Sequence, residues 1–116
     1  MKMYIAVLEE VPDHMVPVVV AHAVLGAHLE FSRSFIAETP GYELYVRWLE
    51  QSFKKCVVSV NRREFEKICN NAIPLYLGHE NKTLNGEKCC AVTVVDNEIP
   101  NVLKFAKLWK PEQIQS

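Results

Sequence analysis

Residues 15–29 read MVPVVVAHAVLGAHL, fifteen positions without an Asp, Glu, Lys or Arg. Val16, Val18, Val19 and Val20 favour an extended chain locally, yet Ala21 to Leu29 is rich in helix formers, and Pro17 is tolerated in a helix only within its first turn. Val18, His22, Leu25, Leu29 and Ile36 recur at helical spacing, with Ser32 a polar interruption of that stripe. The stretch therefore predicts a helix from Met15 to Ile36. A membrane span needs about 20 predominantly apolar residues; this shorter run contains a proline and two histidines, so a buried helix rather than an anchor is expected. Its first half is apolar all round and should be covered on most sides.

Upstream, Met3 to Leu8 is an apolar, β-prone run that stops at Glu9-Glu10 and the turn Val11-Pro12-Asp13, which suits a central strand buried on both faces. The apolar stretch there is too short for a signal peptide and lacks a small-residue cleavage site, so a cytoplasmic chain is expected. Downstream, Glu38-Thr39-Pro40-Gly41 breaks the chain, and Tyr42 to Phe53 reads as a helix with Tyr45, Trp48 and Leu49 on one face. Lys55 to Val60 is a second strand. Asn61 can cap a helix over Arg62 to Asn70 whose inner face is Phe65, Ile68 and Cys69. Pro74 opens a strand through Leu75, Tyr76 and Leu77, His79 to Lys88 is a polar loop, and Cys89 to Val95 is a strong strand. Asp96 to Pro100 starts a closing helix with Val102, Phe105, Ala106 and Trp109 facing inward. The order β-α-α-β-α-β-β-α implies an α/β fold: one domain over residues 1–116, a mixed four-stranded sheet with helices on both faces.

With 49% hydrophobic and 23% charged residues among 116, the composition is that of an ordinary globular domain. Thirteen basic against fourteen acidic residues give a net charge of −1, so a polyanion could be held only by a local patch. Lys54, Lys55, Arg62, Arg63 and Lys67 form a modest basic cluster, but Glu64 and Glu66 interrupt it, as expected of a solvated face. Cys56, Cys69, Cys89 and Cys90 lack a C-x-x-C spacing and read as reduced structural thiols. No cofactor and no metal is expected: phosphate-cradling glycine loops, a serine elbow and H-E-x-x-H are all missing.

Two places remain for chemistry. His22 is either a neutral core histidine bonded to backbone or a functional group beside the crevice at the carboxyl end of the first strand. The loop from His79 through Glu80, Asn81, Lys82, Thr83, Leu84 and Asn85 to Gly86 carries an imidazole, a carboxylate, an ammonium and a hydroxyl, which suit polarising a water or holding a phosphate. Asn85-Gly86 is equally a routine turn signal.

Taken together, these segments resemble the archaeal and eukaryotic type of peptidyl-tRNA hydrolase. The likeness rests on the apolar first strand, on Val20-Ala21-His22-Ala23, on Trp48 followed by Lys54-Lys55-Cys56-Val57-Val58, and on the order of the remaining strands. The resemblance implies hydrolysis of the ester joining a peptide to the 3′ end of tRNA, a homodimer, and catalytic roles for His22 and Thr83. Where that family has a Lys opening the first helix and a Gln three residues before the histidine, this chain has Met15 and Val19. At the family's loop Asp stands His79 or Glu80. Lys82 and Asn85, with Met15 and Val19, then become the substrate-contacting positions, position 19 being expected to face an open cleft. The alternative is a catalytically silent relative that binds a protein or a small ligand.

Overall fold

The computed structural model describes residues 1–33, 41–80 and 84–111. At its centre is β1 (Lys2–Leu8), buried from Met3 onward as the unbroken apolar run requires. It pairs in parallel with β2 (Lys55–Val60), Ile5 opposite Val57, and antiparallel with β4 (Cys90–Val95), Ile5 opposite Val92. β3 (Tyr76–Gly78) adds antiparallel outside β4. Every residue of β4 is buried, so both faces of this mixed sheet are covered.

The parallel β1 and β2 are joined by the crossover that a parallel pair needs. It contains α1 (Val16–Arg33) and α2 (Tyr42–Arg47), the latter continuing as a π-helical stretch over Trp48–Ser52. On this second helix Tyr45 and Trp48 are buried, and the Trp48 indole donates to the Lys54 carbonyl at 2.6 Å. After β2, α3 (Arg62–Asn71) opens with a capping box: the Glu64 N–H donates to Asn61 Oδ1 at 2.8 Å, and the Asn61 N–H to Glu64 Oε1 at 2.9 Å.

The closing helix is shorter than its pattern suggests. α4 spans only Asn101–Lys104 and buries Leu103, while Phe105 is 74% exposed rather than inward-facing. The chain then forms a fifth strand, β5 (Lys107–Leu108), antiparallel to β2, giving the order β3-β4-β1-β2-β5. The backbone of β2 accounts for this, because its outer edge would otherwise carry unpaired groups. The Trp109 N–H donates to the Val57 carbonyl at 2.9 Å.

α1 departs from expectation in how it is turned. Pro17 lies in its first turn as anticipated, Met15 belongs to a 3₁₀ turn over Asp13–Met15, and positions 34–36 lie outside the described residues. Its buried face is Val16, Val19, Ala23, Ala27 and Phe31. Val18, Leu25 and Leu29 of the expected stripe are exposed, at 44%, 62% and 48%. The reason is close approach. A Cβ placed on Gly78 would stand 2.9 Å from the Cβ of Ala23, and one on Gly26 would collide with the Tyr76 hydroxyl. Helix and strand meet through their smallest residues, so the bulky leucines are left on the opposite side. The helix is thus not covered on most sides: positions 13–32 are apolar enough and long enough for a membrane span by length and composition alone, and 28% of an 18-residue window within them is buried.

Candidate functional site

β1 and β3 both run antiparallel to β4, so their carboxyl ends lie at one end of the sheet. There the Leu8 N–H donates to the Cys89 carbonyl and the Cys89 N–H to the Gly78 carbonyl, each at 2.9 Å. At this end a cavity of about 280 Å³ opens between α1 and β3, lined by His22, Tyr76, Gly78, His79 and Glu80. It is the kind of crevice in which α/β sheets bind ligands.

Each lining group is positioned by a local feature of the chain. Strand alternation puts Tyr76 and Gly78 on the same face of β3. Gly78 lets α1 settle against the strand, and Gly26, one turn after His22, leaves room for the end of the Tyr76 side chain. The phenol of β3 is thereby set against the turn of α1 that follows the one carrying the imidazole. His22 is exposed to this cavity, which rules out the reading as a buried core histidine. His79 and Glu80 follow immediately where β3 ends.

The surroundings are mixed in charge. The Lys88 ammonium lies 3.3 Å from His79 Nδ1. Burial pushes the Cys89 thiol above its ordinary range, the backbone N–H of Glu80 opposes this, and the carboxylates of Glu80 and Glu87 push it further up. Cys89 is inert packing beneath the site rather than a nucleophile. Its neighbour Cys90 is pushed up more strongly, again by burial, and all four cysteines are free thiols.

The structure brings together His22, His79 and Glu80 from the expected set. Met15 is half-buried in the turn before α1 and does not line the cavity. Val19 is 1% exposed and belongs to the core, not to a cleft. Three residues of helix turn the chain through about 300°, so Val19 points about 60° away from His22, enough to move it from the cavity wall into the core. Asn85 is an exposed turn residue at φ 54°, followed by Gly86 at φ 78°, so its turn reading holds and it lies off the cavity. Lys82 and Thr83 lie outside the described residues. Tyr76 and Lys88 were missed by sequence reasoning; the available signal for Tyr76 was Gly26, a helix-weakening residue whose presence marks close approach.

Elsewhere, the basic cluster does not form an uninterrupted patch. Arg62 is paired with Glu10 at 2.8 Å and Glu87 at 3.0 Å, and the Lys55 ammonium sits 3.7 Å from the centre of the Phe53 ring. A larger cavity of about 470 Å³ lies between α3 and α4, with Lys67, Asn71 and Leu103 in its wall. It shares no residue with the His22 cavity, and its ionisable lining groups are Glu64 and Lys67, with no histidine among them. Among the described residues no three His, Cys, Asp or Glu side chains are grouped to hold a metal ion.

No protein-family model matches this chain, and no curated protein matches it.

Proposed function

We propose that the protein is a peptidyl-tRNA-hydrolase-like esterase whose chemistry is centred on His22. The observation that carries this reading is the convergence of His22 on α1 with His79 and Glu80, more than fifty residues later, on one polar cavity at the carboxyl ends of β1 and β3. In the proposed reaction His22 takes a proton from water as the water oxygen attacks the ester carbonyl. The Tyr76 hydroxyl donates to the oxyanion that develops. When the carbon–oxygen bond breaks, the imidazolium returns its proton to the departing 3′ oxygen of the tRNA. Glu80 orients the water or the imidazole, and the Lys88–His79 pair lies where a phosphate can be met. A positioned general base typically supplies about 10²- to 10⁴-fold.

The test is deacylation of a labelled N-blocked aminoacyl-tRNA, comparing the natural chain with His22→Ala and Tyr76→Phe. The expected result is turnover that falls at least about 100-fold in His22→Ala. Equal turnover in both would remove His22 from the mechanism. With net charge −1 and Arg62 already paired, tRNA should bind weakly and with a shallow salt dependence, a few phosphates being neutralised. The homodimer and the cytoplasmic location suggested by the resemblance belong to the same proposal.

One observation favours the second reading, a silent relative that binds a protein or small ligand. The position corresponding to that family's Gln is Val19, closed within the core, and Met15 is apolar. Binding of N-blocked aminoacyl-tRNA or of its free acyl portion without any turnover would select it.

A further inference from the structure

The apolar surface of α1 and the polar cavity share one residue. Val18, His22, Leu25 and Leu29 fall within a narrow sector of the helix, about 60° wide, on the side opposite the core. All four are exposed, and no charged residue interrupts positions 16–29. Isolated apolar side chains on a surface need no explanation, but a continuous stripe on one helix marks a binding face. His22 is at the edge of this stripe nearest β3, where it also lines the cavity. The pattern therefore has two parts in contact: a polar pocket with acid–base groups, and an apolar track leading from it.

We propose that the outer face of α1 seats the apolar peptidyl portion of an acyl ester whose carbonyl enters the His22 cavity. The proposal rests on the hydrolase reading and specifies its substrate: an ester bearing large aliphatic side chains on its acyl side. From His22, where the carbonyl enters, to Leu29 the track is about 10 Å long, and an extended peptide advances about 3.3 Å per residue, so it accommodates about three residues. The absence of charge along the track matches an uncharged, N-blocked peptide chain, while the phosphates of the tRNA are left to the Lys88 side of the cavity. A second copy of this chain laid along the stripe would cover His22 and close the cavity, whereas a peptide that ends at the cavity uses both parts.

The experiment compares initial rates on two substrates, tRNA carrying N-acetyl-Leu-Leu and tRNA carrying N-acetyl-Gly-Gly, for the natural chain, Leu25→Ser with Leu29→Ser, and Phe105→Ser. Phe105 is similarly exposed and belongs to neither the track nor the cavity. At subsaturating concentration the leucine substrate should be hydrolysed about tenfold faster by the natural chain, since partly burying one leucine suffices for that. In the double variant the ratio should collapse towards one, and in Phe105→Ser it should persist. Hydrolysis of both substrates at equal rates by the natural chain, or a ratio that survives in the double variant, overturns this inference and leaves the hydrolase reading standing. No hydrolysis of either substrate overturns both. A dimer in light scattering that dissociates in the double variant would assign the stripe to a second copy and overturn the inference as well.

Discussion

The two sides of α1 are made from the same kinds of residue and have opposite surroundings. Val19, Ala23 and Ala27 are enclosed, at 1% exposure or less; Val18, Leu25 and Leu29, one or two positions away, face outward. Hydrophobicity does not separate them, because the leucines are outside. At the crossing with β3 size does: Ala23 meets Gly78 and Gly26 meets Tyr76, and these contacts set how closely helix and strand approach, whereas Val16, Val19 and Phe31, towards the two ends of the same buried face, are bulky. On a helix that is apolar all round, the buried face is set by steric fit rather than by amphipathicity.

The largest expected effect comes from placing a polar group on the inner side. Val19→Gln removes a buried aliphatic side chain and desolvates an amide within the core, which together should cost about 3 kcal/mol. For a domain of this size that lowers the melting temperature by about 12 °C. A thermal melt checks it; a change under about 0.5 kcal/mol would mean that position 19 faces the cavity after all.

Overpacking the same side should cost less. Ala23→Leu drives three additional carbons towards Gly78, whose α1 contact is already tight, and core overpacking costs about 1–3 kcal/mol. It should also push α1 away from β3 and displace Tyr76 from His22, so hydrolysis should fall further than stability does. If stability and activity are both unchanged, the helix–strand spacing is not what positions the phenol.

A third substitution tests the opposite flank, where α1 meets α2. The Tyr45 hydroxyl and His28 Nδ1 share a 2.7 Å hydrogen bond, and Tyr45 is 2% exposed. Tyr45→Phe keeps the ring contacts with Phe31 and Trp48 and removes that bond, at a cost of about 1 kcal/mol by urea titration. Burial raises the Tyr45 pKa above its ordinary value of 10.0. Above pH 10 the unfolded chain releases a proton that the folded chain keeps, so this residue makes stability fall as pH rises through that value. The Phe variant should show a shallower alkaline decline; an identical decline would assign it to the buried thiols, which shift in the same direction.

These residues also explain how far the sequence could be read. β1, β2, α3 and β4 were legible almost to the residue because each has one dominant local signal: an unbroken apolar run, a valine-rich strand, a capping box. The mixed α/β sheet follows from their order. β5 was not legible, since Lys107-Leu108 has no strand pattern of its own and is extended only because β2 offers an open edge. The orientation of α1 was hidden for a similar reason: Val18, Leu25 and Leu29 form the better helical stripe, and only the partner strand reveals that alanines are needed inside. At the site, His22, His79 and Glu80 could be singled out by residue type, and their meeting in one cavity depends on how β3 lies against α1. Tyr76 looked like an ordinary strand aromatic until Gly26 was seen opposite its hydroxyl.

The smallest expected effect is on the outer side. Leu25 is 62% exposed, so Leu25→Ser uncovers little area and leaves no cavity, and the lower helix propensity of serine accounts for about 0.5 kcal/mol. The urea midpoint should move slightly with its slope unchanged, and the value should not depend on protein concentration. That independence separates the two explanations of an exposed apolar track. If a second copy covered Leu25 in solution, the natural chain would gain stability with concentration and the serine variant would lose that gain, bringing its cost towards that of Val19→Gln. A small, concentration-independent loss in stability, combined with a loss of preference for leucine-bearing esters, is the outcome expected of a surface that is open in the free protein and covered only when substrate is bound.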